Sequence, residues 1–263
     1  MHPKIFQFGD FYLPTYGLLV TTGVILALFL SLRLAKAEGF SKEQREQLSN
    51  LVVSTIIGGI LGSKLLLVIV DLPYYVSHPY ELIYLVRAGG VFYGGLIGGI
   101  ATAAILLRRY KFSFPVIGDI LAPHIALGHA IGRLGCFSAG CCYGKHCDLP
   151  FGVTFDSGFA HSVVGVPLHD PLYPTQLISA CLLLLIYLTT RYFVFRKRTW
   201  TGQVFWSYVT LYSISRFAVE FIRGDLDRGF VVDWLSTSQF ISLMLFTVSI
   251  GVHLWHWRRR ASS

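Results

Sequence analysis

Residues 16–34 read Tyr-Gly-Leu-Leu-Val-Thr-Thr-Gly-Val-Ile-Leu-Ala-Leu-Phe-Leu-Ser-Leu-Arg-Leu. Arg33 is the sole charge in these nineteen residues. A helix of that length rises about 28 Å, which matches a hydrocarbon core of about 30 Å. The stretch therefore reads as a transmembrane helix. It lacks the basic start, short apolar run and small-residue cleavage site of a secretory leader, so the span is expected to stay in place.

Working outward, length and apolarity pick out six further segments: 51–70, 90–107, 116–131, 177–195, 202–221 and 240–257. The whole chain of 263 residues is 54% hydrophobic and 14% charged, with a mean hydropathy of +0.59. That is more apolar surface than one water-soluble core can bury. The expected fold is an all-α polytopic membrane protein of about seven transmembrane helices, forming one integral membrane domain over 1–263, with a periplasmic or extracytoplasmic loop region.

The net charge of +8 does not point to nucleic acid, because the basic residues sit in short clusters between apolar runs. One alternating set of loops holds fourteen of them: Arg33, Lys36, Lys42, Arg45, Arg108, Arg109, Lys111, Arg191, Arg196, Lys197, Arg198, Arg258, Arg259 and Arg260. The other set holds six: Lys4, Arg87, Arg133, Lys145, Arg223 and Arg228. The positive-inside rule places the first set in the cytoplasm. The N-terminus is then outside, the C-terminus is cytoplasmic, and residues 132–172 and 224–236 face away from the cytoplasm.

Ionisable side chains inside spans are costly and so mark candidate sites. Here they are Lys64, Arg216 and Glu220, with Arg223 continuing the face. Arg216, Glu220 and Arg223 follow the i, i+4, i+7 spacing of one helical strip. Two arginines to one glutamate leave a positive surplus that invites an anion, although a self-satisfied ion pair would give the same pattern.

A second concentration runs from His129 to Lys145 (HAIGRLGCFSAGCCYGK). Its glycines at 132, 135, 140 and 144 suit a span that breaks into a loop. Arg133 at that break could hold a phosphate bidentately or snorkel to the membrane edge. Cys136, Cys141, Cys142 and Cys147 have C-x4-C-C-x4-C spacing with His146 interleaved. Zinc ligation, disulfides and reduced thiols all remain open, and the adjacent pair Cys141 and Cys142 looks awkward as two ligands of one tetrahedron. Gly58, Gly59, Gly62 and Ser63 in one span, and Gly90, Gly94, Gly95, Gly98 and Gly99 in the next, read as close helix packing or as the wall of a lipid-sized cleft.

Four motifs together resemble the bacterial prolipoprotein diacylglyceryl transferases. They are Phe92-Tyr93-Gly94-Gly95-Leu96-Ile97-Gly98, Gly132-Arg133-Leu134-Gly135 through Gly144, Pro174-Thr175-Gln176-Leu177, and Arg216-Phe217-Ala218-Val219-Glu220-Phe221-Ile222-Arg223. The likeness extends over most of the chain, from Tyr16-Gly17 to the Arg258–Arg260 tail. The chain departs from the family pattern where Cys136, Ala139 and Cys141 replace Asn, Asn and Glu, and where Tyr93 replaces a histidine before the Gly-Gly pair.

The resemblance implies a transferase of the bacterial inner membrane. It would move the diacylglyceryl group of phosphatidylglycerol to the lipobox cysteine of a prolipoprotein signal peptide and release glycerol phosphate, with no metal or organic cofactor. It implies Arg133 and Arg216 at the phosphate and Tyr93 as a further catalytic group. Tyr16, Lys64, Gly94, Gly95, Cys136, Gly144, Glu220 and Arg223 would bind substrate, with membrane lipids around the site. Transfer to another acceptor, through a cysteine nucleophile, and lipid binding without chemistry are the competing expectations.

Overall fold

The computed structural model describes residues 4–8, 11–86, 89–225, 229–232 and 234–261. Arg87 and Arg228, counted above among the loop charges, lie outside the described residues. The described chain falls into two compact units, Met1–Ser31 with Pro115–Ser263, and Leu32–Phe114.

In the first unit, an antiparallel hairpin of β1 (Lys4–Phe8) and β2 (Phe11–Pro14) leads into α1 (Thr15–Ala37). The Leu32–Phe114 unit holds α2 (Lys42–Val70), α3 (Leu72–Ser77), a 3₁₀ turn over Pro79–Val86, and α4 (Phe92–Arg109). Ser41 starts α2 with a capping box: its hydroxyl accepts from Gln44 N at 3.1 Å while Gln44 Oε1 accepts from Ser41 N at 2.9 Å. The glycine faces of α2 and α4 meet. A Cβ on Gly62 would lie 3.0 Å from Gly98 Cα and collide with Gly94 O. A Cβ on Gly98 would collide with Gly58 O. The backbone-close packing expected of this glycine pattern is observed.

The first unit continues with α5 (Phe114–Ala139), α6 (Gly158–Val164), α7 (Thr175–Leu188), α8 (Phe195–Lys197), α9 (Gln203–Glu220) and α10 (Thr237–Ala261). A π-helical turn, Thr189–Val194, joins α7 to α8. Two short strands, β3 (Phe230–Val232) and β4 (Leu235–Ser236), pair ahead of α10. Between α5 and α7 the chain builds a small core of its own from Tyr143, Phe155, Ala160, Val166 and Leu172, with Phe137 packed against it.

Each expected span has a helix. Five are long and apolar enough to cross a membrane: Thr15–Ala37, Lys42–Val70, Phe114–Ala139, Thr175–Lys197 and Thr237–Arg260. The other two, α4 and α9, have 18 residues each, which gives a rise of about 27 Å. Apolar side chains such as Ile25, Leu61, Ile105 and Trp257 are 62% to 67% exposed, a surface suited to lipid rather than water. The chain is an all-α, multi-pass membrane protein.

One expected boundary moves. The break anticipated near Gly132 does not occur, and α5 stays helical through Ala139, with Pro123 inside it. The glycines serve packing instead. A Cβ on Gly128 would lie 2.9 Å from Gly23 O, and one on Gly135 would lie 3.3 Å from both Tyr16 Cδ2 and Tyr16 O. Gly128 and Gly135 therefore let α1 and α5 approach closely, and Arg133 projects from a continuous helix rather than from a loop.

Candidate functional site

Two helices of the first unit carry the site, and a buried carboxylate joins them. Asp119 on α5 is 3% exposed. It accepts hydrogen bonds from Gly202 N at 2.7 Å and Phe205 N at 2.9 Å. These are amides at the start of α9, where no preceding turn offers an acceptor, so Asp119 caps α9 from a neighbouring helix. Its negative charge also matches the positive end of the α9 dipole. The cap ties α9, which bears Arg216 and Glu220, to α5, which bears Arg133.

Arg216 and Glu220 pair one turn apart, with Arg216 Nη1 at 2.6 Å from Glu220 Oε2. Arg216 Nη2 donates to Ser238 Oγ at 2.7 Å, so α10 also orients the guanidinium. Arg223 does not extend this strip as its spacing predicts. The α9 helix ends at Glu220, and Arg223 grips Asp225 with two hydrogen bonds of 2.5 and 2.6 Å. Asp225 therefore matches the charge of Arg223, and Glu220 that of Arg216. The surplus positive charge lies at Arg133, with which no carboxylate pairs among the described residues.

Arg133 Nε donates to His129 Nε2 at 3.3 Å, one turn back on α5. The His129 ring lies 5.7 Å from that of Tyr212. Arg133, Arg216 and His129 line one small cavity of about 20 Å³, together with Ser179, Tyr212 and Ser215. His129, Ser179, Tyr212 and Ser215 were not among the expected site residues. Their i±4 relation to Arg133 (His129) and to Arg216 (Tyr212) was the available signal.

The loop after α5 is held on both sides. Gly144 N donates to Tyr173 O at 3.1 Å, Lys145 N to Ile222 O at 2.9 Å, and Gly224 N to Tyr143 O at 3.0 Å. A Cβ on Gly144 would lie 2.5 Å from Tyr173 Cβ and 3.0 Å from Ile222 O, so only glycine lets the three strands of backbone meet. From α7, Thr175 Oγ1 donates to Cys142 O at 2.6 Å and Gln176 Nε2 to Cys141 O at 2.9 Å. The Pro-Thr-Gln motif thus pins the cysteine loop.

All five cysteines are free thiols, in place of the disulfides considered above. Cys142 adopts φ +58°, a left-handed conformation that costs a non-glycine residue about 1–2 kcal/mol. It turns the Cys142 thiol toward those of Cys136 and Cys141, and the three sulfurs lie within 4.8 Å of one another. Hydrogen bonds from Cys136 and Cys141 hold the Cys142 thiol below the ordinary thiol range, with Arg223 reinforcing them against burial. Cys141 is pushed up by its bonds to Cys136 and Cys142. Cys147 is 1% exposed and His146 is engaged by Asp170 and Asp148, so the anticipated set of four cysteines and a histidine assembles only in part.

Of the remaining expected site residues, Tyr16 packs on Gly135 beside the Arg133 turn. Lys64, Tyr93, Gly94 and Gly95 belong to the Leu32–Phe114 unit. There Lys64 Nζ donates to Gly89 O at 3.1 Å, and Tyr93 is 57% exposed.

Fold and site thus define a multi-pass membrane protein in which two arginines from different helices share one small cavity. The chain belongs to the prolipoprotein diacylglyceryl transferase family, whose model matches residues 3–255. It is 37% identical over 257 residues to the phosphatidylglycerol–prolipoprotein diacylglyceryl transferase of Clostridium tetani, covering 97% of each chain. It is 34% identical over 264 residues to the protein of the same name from Geobacter sulfurreducens, covering 98% of this chain and 96% of that one.

Proposed function

We propose that this protein transfers the diacylglyceryl group of phosphatidylglycerol to the lipobox cysteine thiol of a prolipoprotein. The observation that carries the proposal is the shared cavity of Arg133 and Arg216, in which Arg133 has no carboxylate partner among the described residues. In the reaction the thiolate sulfur forms a bond to the terminal glyceryl carbon of the diacylglyceryl group. The bond from that carbon to the phosphate oxygen breaks, and glycerol phosphate leaves with the electron pair. The thiol proton passes to a base.

Each step asks for something the cavity contains. Charge grows on the departing phosphate, where two guanidiniums placed beforehand stabilise it more than they stabilise the diester. Glu220, Ser238 and the Asp119 cap keep Arg216 in position. His129 lies in the same cavity with its Nε2 accepting from Arg133; a phosphate that draws the guanidinium away frees that lone pair to take the thiol proton. The part assigned to Tyr93 rests on the Phe92–Gly98 motif, with Gly94 and Gly95 beside it. Tyr16, Cys136 and Gly144 bound the site by shaping the turn after Arg133, and the chemistry draws on no cofactor.

The loop charges support a place in the bacterial cytoplasmic membrane, with the N-terminus outside and the C-terminus in the cytoplasm. That orientation puts Arg133 and Arg216, in the C-terminal parts of α5 and α9, in the outer half of the membrane.

The test is incubation of the purified protein with phosphatidylglycerol and a lipobox peptide. Thioether-linked diacylglyceryl peptide and glycerol phosphate are expected in equal amounts, and neither is expected with a peptide whose cysteine is replaced by serine. Glycerol phosphate that appears without the peptide thiol, or with another acceptor only, would overturn the proposal.

A further inference from the structure

The sulfurs of Cys136, Cys141 and Cys142 converge within 4.8 Å on a loop whose backbone is strained to bring them there. Neighbouring residues in ordinary extended or helical backbone direct their side chains apart. Here the chain turns through Gly140 at φ +80° and Cys142 at φ +58°, so the sulfurs of Cys141 and Cys142 face the same point as that of Cys136 in the last turn of α5. The turn is held from outside by Thr175 and Gln176, which are 2% and 0% exposed and bond the two cysteine carbonyls. Backbone strain kept in place by buried hydrogen bonds is characteristic of a functional site.

We propose that these three cysteines form a binding site for a thiophilic cation of the zinc and cadmium class, with one coordination position left open. Zinc–thiolate bonds of about 2.3 Å put sulfurs of a tetrahedron about 3.8 Å apart, close to the present separations of 4.8 Å or less. As the ion binds, three sulfur–metal bonds form and each thiol still protonated gives up its S–H proton to solvent.

The surroundings suit such a centre. Arg223 Nη2 stands 3.6 Å from Cys142 Sγ, an N–H···S contact of the kind that orients and stabilises a bound thiolate. Arg133, one turn before Cys136, supplies positive charge near a centre whose three thiolates exceed the charge of a divalent ion by one. The three residues are part-exposed, which leaves the ion a path in. Among the described residues, no fourth histidine, cysteine or carboxylate joins the group, hence the open position. The centre adjoins the transfer site proposed above, with which it shares Arg133 and the Cys136 turn, but the transfer itself draws on Arg133, Arg216 and His129 without a metal.

The test is a Cd²⁺ titration of the full-length, reduced, detergent-solubilised protein, followed by the thiolate-to-cadmium charge-transfer band. One Cd²⁺ per chain is expected, displaceable by Zn²⁺. Affinity should fall by about tenfold or more in Cys136→Ser, Cys142→Ser and Arg223→Gln, and stay unchanged in Cys147→Ser and Cys181→Ser. A second measurement needs no variant: Zn²⁺ should protect three thiols of the unmodified protein from maleimide. The proposal fails if no band forms, if the band survives Cys142→Ser, if Zn²⁺ protects none of the three, or if the three thiols yield a disulfide and the reduced protein takes no Cd²⁺.

Discussion

Arg216 and Glu220, one turn apart on α9, form an ion pair of 2.6 Å in which the side chains are 15% and 2% exposed. Removing the carboxylate would leave a buried guanidinium without its counter-charge, a loss that costs about 3–5 kcal/mol in comparable buried pairs. Replacing both partners by apolar residues of similar size is far less damaging to stability, although it would empty the cavity of one of its two arginines.

Glu220→Gln is therefore expected to destabilise the protein by about 3 kcal/mol or more, while Arg216→Met combined with Glu220→Leu recovers much of that loss and remains inactive. Thermal unfolding in detergent, run beside the transfer assay, separates the two effects. A double variant that regains activity would show that the pair is structural only.

Asp119 caps α9 across 83 residues of sequence, with a bond of 2.7 Å to Gly202 N. Asp119→Ala leaves two α9 amides without their acceptor and is expected to cost about 1–2 kcal/mol. Because the cap lies far along α9 from Arg216, the variant should bind phosphatidylglycerol less tightly only as far as the helix shifts. Hydrogen exchange at the first turn of α9 reads the loss directly.

Gly144→Ala forces a methyl group against Tyr173 and Ile222 backbone and is expected to destabilise by about 1–3 kcal/mol, loosening the cysteine loop. Cys142→Gly should do the reverse to stability. It relieves about 1 kcal/mol of left-handed strain while abolishing the three-sulfur cluster. Chemical unfolding of the two variants should therefore shift in opposite directions.

His146 is raised above the ordinary histidine value by hydrogen bonds to Asp170 first and Asp148 second. The folded state favours its charged form, so this tie is at full strength below the ordinary value of 6.5 and is lost as pH rises through the raised one. The site is exposed and the effect on stability small. Asp170→Asn is expected to lower the His146 midpoint, as followed by its imidazole proton resonance, and an unchanged midpoint would remove Asp170 as the cause.

The helices were legible because apolar length is a one-dimensional property, and Arg216 with Glu220 because i, i+4 spacing survives any packing of a helix. The end of α5 was not, since glycines signal equally a broken helix and a close-packed one, and the choice depends on Gly23 and Tyr16 far away in sequence. Asp225 took Arg223 from the expected strip because α9 ends at Glu220, a boundary that apolar periodicity does not mark. The Asp119 cap and the His129 position within the cavity are tertiary facts. The convergence of Cys141 and Cys142 depends on a positive φ at a cysteine, which no composition rule anticipates.

The most direct measurement of the central claim is the single-turnover rate of glycerol phosphate release at saturating phosphatidylglycerol, compared between the unmodified protein and Arg133→Ala. If Arg133 and Arg216 together hold the departing phosphate, the rate should fall by about 10²–10³, with Arg133→Lys recovering part of it through charge without the bidentate grip. An Arg133→Ala protein that folds, binds the lipid and releases glycerol phosphate at the unmodified rate would contradict the account.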